Sequence, residues 1–212
     1  SLEAEPAGSL DDGKVIAEGC VELGSADAVL GVNSKNGVRA AFANPLSAQR
    51  WTGNTIPYTI DSTVTAPMRT LIERAIAQWE SRTPIRFVAR SGQANFLRII
   101  RSDNPINTAG GIGMIGGEQT MRLREDAQFA IVVHEIGHTV GLHHEQNRPD
   151  SIRFIRVDLD QVRKDEVQQL EVANYQTVGG YDMQSVMHYE KSAVTRFGNR
   201  ILETIPPGID VY

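Results

Sequence analysis

The 212-residue chain has very little cysteine: Cys20 is its only one, so no disulfide can form within it. Aromatic residues contribute only 6%. Hydrophobic residues reach 41% and charged residues 22%, values close to globular averages that argue against wholesale disorder. A chain of this length can bury a core without a disulfide scaffold, and it forms one large domain or two small ones.

Long apolar runs and an excess of positive charge are also missing. No run approaches the ~18 apolar residues that a membrane helix requires, so we expect no membrane span. The chain has 21 basic and 26 acidic residues, a net charge of −5. Because phosphate binding needs a basic face, we expect no nucleic acid partner. The first residues show no basic-then-apolar leader, so a secretion signal either precedes them or does not exist.

Residues 1–40 differ in composition from the rest of the chain. They are rich in Gly, Ala, Ser and acidic residues, and the first Phe and Trp are Phe42 and Trp51. We interpret this segment as an extension that wraps around the rest of the chain, and a mobile tail is the alternative.

The remaining pattern mixes helices and strands, which predicts an α+β fold. Apolar residues including Met68, Ile72 and Trp79 share one helical face, after a cap at Thr65. Asp126 can cap a second helix. The predicted strands are 56–60, 85–88, 96–100 and 121–123. The first predicted helix lies between the Thr65 cap and Thr83, and two further helices are predicted over 127–140 and 160–173.

Histidine clustering is the most informative feature, since four of the five histidines fall within eleven residues. His134 and His138 are four apart, so a helix presents both on one face, where they can bind one cation. Glu135 lies beside them, within reach of a metal-bound water. Gly141 can end the helix in a left-handed turn. That turn can bring His144 back as a third ligand.

This set of ligands indicates hydrolytic zinc chemistry. Three neutral imidazoles favour one Zn²⁺ ion and leave a position open for water. Glu135 can then act as general base and pass the proton to a leaving amine, which predicts hydrolysis of a peptide bond. His143 neighbours His144 and should point elsewhere, so we interpret it as structural.

A second motif, Ser185-Val186-Met187-His188-Tyr189, follows about 40 residues later. With Glu145 directly after the third histidine, the chain resembles the astacin family of metzincin metalloproteases over residues 42–212. The second motif resembles that family's Met-turn. Further resemblance lies in these stretches: 50–51, 56–58, 116–119 with Leu123, and 202–205.

The resemblance implies roles for several residues. Tyr189 is expected as a possible fifth zinc ligand that swings away to stabilise the transition state. Met187 is expected as an apolar floor beneath the zinc. Glu145 is expected to face the mature N-terminus through water. A substrate-binding edge strand is expected at Thr108, Gly110, Gly111, Ile112 and Gly113.

The resemblance also implies a fold and a location. It predicts a twisted mixed sheet with helices in the N-terminal half, an irregular C-terminal half and a zinc cleft between them, in a secreted protein that acts on proteins or peptides. The chain departs from the family in lacking two disulfides, with Pro84 where a cysteine is common. It also stops at Tyr212, short of the family's usual last helix.

Zymogens of this family carry an F-x-G-D motif whose aspartate caps the zinc, and Ala17-Glu18-Gly19-Cys20 is the nearest match here. A thiolate is a strong zinc ligand, so Cys20 on the metal would keep the enzyme latent. Residues 1–41 would then be an inhibitory pro-segment and 42–212 the catalytic domain. Activation would cut among Lys35, Arg39 and Arg50, giving a new N-terminus near residue 42.

Alternatives remain open at this point. Cys20 can be a buried, inert thiol, the commonest fate of a free cysteine. The chain can be another zincin hydrolase, or a zinc-binding protein without catalysis. The presence of both Glu135 and Tyr189 argues against the non-catalytic interpretation.

Overall fold

The structure is a computed structural model that describes residues 50–162, 170, 177, 179–189 and 202–209, and the backbone of 9–11, 14–17 and 21–25. The chain divides into two compact units, one built mainly from residues 46–142 and the other mainly from 143–212.

Three short strands lie in the N-terminal segment: β1 (Ser9–Asp11), β2 (Lys14–Ala17) and β3 (Val21–Ser25). Strands β1 and β2 pair in antiparallel fashion, with Leu10 opposite Val15. Cys20 lies outside the described residues, so its place on the zinc stays a prediction. The inhibitory role of residues 1–41 also stays a prediction.

A four-stranded sheet forms the centre of the first unit. Its strands are β4 (Thr55–Ile60), β5 (Arg86–Ala89), β6 (Phe96–Ser102) and β7 (Glu118–Arg124). Their order is β5-β4-β6-β7, and every neighbouring pair is parallel. Thr108 adds an antiparallel bridge to Arg122 on β7, which gives the sheet its mixed character.

The first helix, α1 (Ala66–Arg82), confirms the sequence prediction. The Thr65 side chain caps it by accepting a hydrogen bond from the Met68 amide. One apolar face is buried, consisting of Met68, Ile72, Ala75 and Ile76. The helix ends at Thr83, and it packs against the second helix.

The second helix, α2 (Phe129–Val140), begins two residues later than predicted. The expectation that Asp126 caps it is wrong, because the N-cap residue is Gln128. The Asp126 carboxylate instead accepts two hydrogen bonds from the Arg124 guanidinium, at 2.7 and 2.5 Å. The Asp126 carboxylate is therefore engaged by Arg124 and not by the start of the helix.

The glycine-rich segment 108–113 corrects a prediction, because it contains no regular strand. Gly110 and Gly113 have φ values of 73° and 67°, in the left-handed region that an extended strand does not allow. The segment nevertheless lies along the outer edge of β7. A Cβ atom added at Gly110 would be only 2.7 Å from the Thr120 carbonyl carbon, so only glycine fits this approach.

In the second unit, β8 (Ile155–Val157) and β9 (Leu202–Thr204) form an antiparallel pair. A small core surrounds them, consisting of Ile155, Val162, Leu170 and Leu202. The predicted helix over 160–173 does not begin as expected. Residues Leu159–Gln161 form a single 3₁₀ turn that ends in extended backbone at Val162, and most of the remaining predicted helix lies outside the described residues.

Candidate metal centre

Helix α2 carries His134, Glu135 and His138. The Nε2 atoms of the two histidines lie 3.1 Å apart, as expected for positions one helical turn apart. The Nδ1 atom of His138 lies 2.7 Å from the Leu142 carbonyl oxygen. Because a carbonyl can only accept, Nδ1 carries the hydrogen and the lone pair is on Nε2, the tautomer suited to a metal ligand.

Gly141 ends α2 as predicted, with φ of 119° in the left-handed region. Its amide donates to the carbonyls of Gly137 and His138, and the Leu142 amide also donates to Gly137. The chain beyond this turn reaches His144. The ligand nitrogens of His134, His138 and His144 all lie within 4.8 Å of one another, which confirms the predicted three-histidine group.

Two observations show that this group fits a zinc ion. Two nitrogens bound at the usual zinc distance in tetrahedral geometry lie about 3.3 Å apart, close to the separation between His134 and His138. Glu135 is 2% exposed, and its Oε2 atom has no hydrogen-bond partner among the described residues. Burial raises the pKa of this carboxyl well above its usual range. A cation nearby would offset the cost of burying the charge.

The turn around Met187 lies in the second unit. The Ser185 carbonyl accepts from the His188 amide at 2.9 Å, which closes the turn. Met187 is buried, and its carbonyl accepts from the Glu145 amide at 2.9 Å. This bond ties the turn to the residue that follows His144.

Tyr189 packs directly against His144. The centres of the two rings are 4.4 Å apart. The Tyr189 amide donates to the Gln146 side-chain oxygen at 3.0 Å. A metal ligand and the tyrosine predicted to assist it are therefore neighbours.

Glu145 is half-buried, and burial is the main cause that raises its pKa. Its carboxylate accepts from the Asp182 amide at 2.9 Å and lies 3.5 Å from the Arg148 guanidinium. The expected contact with a new N-terminus near residue 42 involves positions outside the described residues, so it stays a prediction.

The predicted substrate segment is largely buried. Thr108 and Arg122 exchange two backbone hydrogen bonds, at 2.9 and 2.8 Å. The Gly113 amide donates to the His138 carbonyl at 2.8 Å, which connects the segment to the end of α2. Gly110, Gly111 and Ile112 are also buried.

The sequence motifs predict no role for Tyr181 or His188. The Tyr181 hydroxyl lies 2.6 Å from His188 Nε2, and His188 Nδ1 lies 2.7 Å from the Tyr189 carbonyl. The carbonyl must accept, so Nδ1 donates to it and Nε2 accepts from Tyr181. Burial lowers the pKa of His188 and so favours this neutral form. The position of His188 in the second motif is the only sequence signal for this pair.

None of the helices in the described ranges is long and apolar enough to cross a membrane. His143 is half-buried, and its structural role stays a prediction.

The spacing of the three histidines, with glycine between the second and third, defines the metzincin class of zinc metallopeptidases. Residues 43–210 match the model of the peptidase family described as Astacin. Human Tolloid-like protein 1 is 31% identical over 186 residues, which cover 85% of this chain and 18% of that protein. Zinc metalloproteinase nas-6 of Caenorhabditis elegans is 31% identical over 163 residues, which cover 74% of this chain and 46% of that protein.

A solved structure shows the same fold. High choriolytic enzyme 1, a hatching enzyme zinc-protease from Oryzias latipes, has a TM-score of 0.71 at 23% identity, covering 80% of this chain and 89% of that one. The chain belongs to the astacin family of zinc metallopeptidases. This sets aside the alternative of a different zincin family. The chain spans only 18% of the length of Tolloid-like protein 1 and 46% of the length of nas-6.

Proposed function

We propose that this chain is a zinc-dependent endopeptidase in which His134, His138 and His144 hold the metal and proteins or peptides are the substrates. The observation that carries the proposal is the mutual approach of the three ligand nitrogens to within 4.8 Å. A bound zinc supplies Lewis-acid chemistry at the scissile carbonyl and lowers the pKa of water.

Glu135 is the proposed general base. It follows a ligand directly, and its buried carboxylate has one oxygen without a hydrogen-bond partner in the part of the chain that the structure describes. A carboxylate can take the proton of the attacking water and return it to the departing amine. Glutamine at this position would keep the size of the side chain and lose this ability.

Tyr189 and Met187 are proposed to complete the site. Tyr189 packs on His144, so its phenol can donate a hydrogen bond to the developing oxyanion. Its service as a fifth zinc ligand between turnovers is part of the same proposal. Met187 is buried and tied to Glu145 through its carbonyl, which suits an apolar floor.

Substrate is proposed to bind in extended form along residues 108–113. Support comes from the position of this segment at the outer edge of β7 and from the Gly113 bond to the end of α2.

Latency is the regulatory part of the proposal. Residues 1–41 would inhibit the enzyme by placing the Cys20 thiolate on the zinc, since thiolate is a better zinc ligand than carboxylate. A cut among Lys35, Arg39 and Arg50 would release it, and Glu145 would then face the new N-terminus. Secretion is proposed from the family to which the chain belongs.

The experiment uses a quenched fluorescent peptide library and four proteins: wild type, Glu135→Gln, Cys20→Ala and Glu118→Gln. Glu118 is an exposed residue on β7, so its variant is the matched control. Each is assayed before and after limited trypsin, with zinc content measured by mass spectrometry.

Activity should appear in wild type and Glu118→Gln after trypsin. Cys20→Ala should be active before the cut. Glu135→Gln should retain zinc and lose activity by at least about 100-fold. Zinc-loaded wild type without activity in any sample would instead support a zinc-binding protein without catalysis. Absence of activity in Cys20→Ala before trypsin treatment would contradict the proposed latency.

A further inference from the structure

The C-terminal end of α2 is stabilised by a side chain from a remote part of the chain. The last four carbonyls of a helix have no amide partner inside it. The amides of Gly141 and Leu142 donate hydrogen bonds to the carbonyls of Gly137 and His138. The Thr139 carbonyl instead accepts the indole N–H of Trp51 at 2.7 Å, across 88 residues of sequence.

Both the backbone and the side chain of Trp51 are held by contacts. Its carbonyl accepts from the Asn54 amide at 3.0 Å in the 3₁₀ turn that leads into β4. Trp51 is 4% exposed, so its indole N–H needs a partner inside the protein. Loss of this bond would leave the buried Thr139 carbonyl without the indole donor. Trp51 therefore connects the start of the sheet to the end of α2.

The turn at the end of α2, to which Trp51 donates its hydrogen bond, also orients the proposed zinc ligand His138. His138 directly precedes Thr139, and the Leu142 carbonyl in the same turn fixes the tautomer of His138. We propose that Trp51 is a positioning residue for the zinc site, acting through the Thr139 carbonyl on His138 and on the turn that leads to His144. The inference rests on the zinc site proposed above, and it concerns metal affinity, not the chemical step.

Trp79 offers a control within the same helix pair. Its indole N–H donates to the Val133 carbonyl of α2 at 3.1 Å. Val133 lies inside the helix, where its carbonyl also accepts the helical bond from Gly137. Removing the Trp79 donor leaves that helical bond in place, whereas removing the Trp51 donor takes away a bond at a helix end.

The test measures the zinc dissociation constant by competition with a fluorescent chelator, and the zinc release rate by stopped flow. The proteins are the full chain, Trp51→Phe and Trp79→Phe. A third variant carries benzothienylalanine at position 51, which keeps the bicyclic shape and lacks the N–H. All measurements are made well below the unfolding midpoint of each protein.

Both changes at position 51 should weaken zinc binding about tenfold or more, the usual effect of losing a group that orients a ligand, and should speed its release. Trp79→Phe should weaken zinc binding by clearly less than this factor of about ten. Zinc bound equally well with benzothienylalanine at 51 would overturn the inference, even if Trp51→Phe did not fold. Equal weakening by Trp51→Phe and Trp79→Phe would overturn it as well. A wild-type chain that binds no zinc would overturn the proposed function itself.

Discussion

Replacing Gly110 with alanine should destabilise the 46–142 unit much more than the same change at Gly53. Both glycines have left-handed backbone, with φ of 73° and 62°. Their surroundings differ. A Cβ atom at Gly53 meets nothing within 4 Å, whereas one at Gly110 would overlap the backbone of Thr120 in β7.

The expected loss of unfolding free energy has two causes, the left-handed backbone and the overlap with Thr120. Left-handed backbone costs alanine about 1 kcal/mol, and this is the whole expected loss for Gly53→Ala. At Gly110 the new methyl meets backbone atoms of a paired strand, which cannot rotate away. Overpacking of this kind adds about 2 kcal/mol. We expect a total loss of about 3 kcal/mol in unfolding free energy for Gly110→Ala.

Urea unfolding followed by tryptophan fluorescence checks this prediction. Both tryptophans, Trp51 and Trp79, lie in the 46–142 unit, so the signal reports on the unit that contains both glycines. With slopes of about 2 kcal/mol per molar urea, the midpoints of the two variants should differ by about 1 M. Coincident midpoints would refute the close approach of Gly110 to β7.

Two further predictions concern stability. The Arg98 guanidinium, with help from Thr63, lowers the pKa of the Asp61 carboxyl to about 2. A lowered pKa gives stability that is present above the ordinary carboxyl value of about 4 and lost as the pH falls through about 2. Wild type should therefore exceed Asp61→Asn in unfolding free energy at pH 5, and the difference should vanish toward pH 2 in denaturant titrations; a constant difference would contradict this. Leu97→Ala, at a fully buried site on β6, should lower the unfolding free energy by about 2–5 kcal/mol. Ile131→Ala, at an exposed position, should lower it by less than about 1 kcal/mol. Similar losses for the two variants in urea unfolding would disprove the assigned burial.

The parts of the fold that depend on short-range patterns could be predicted from the sequence. The cap at Thr65 and the buried face of α1 need only residues within a few turns of helix. The same holds for the approach of His134 to His138 and for the left-handed turn at Gly141. Each of these is set by helical periodicity or by the conformational freedom of one glycine.

Features decided by competition or by distant contacts could not be predicted. Asp126 looks like a helix cap, but it pairs with Arg124, and no local rule ranks the two partners. The family resemblance implied an edge strand at the glycine-rich segment, but the positive φ values there break the extended backbone. Trp51 reaches Thr139 across 88 residues, and no periodic pattern marks that contact.

The central claim is that three histidines hold a zinc ion that this chain uses to hydrolyse peptide bonds. The most direct measurement is a zinc titration of the metal-free, trypsin-activated chain while hydrolysis of a quenched peptide is recorded, with His138→Ala as the comparison. Activity should rise until about one zinc is bound per chain and then level off, and it should stay absent in the variant, which loses one of the three ligands. Hydrolysis by the metal-free chain, or equal zinc-dependent activity in His138→Ala, would contradict the account.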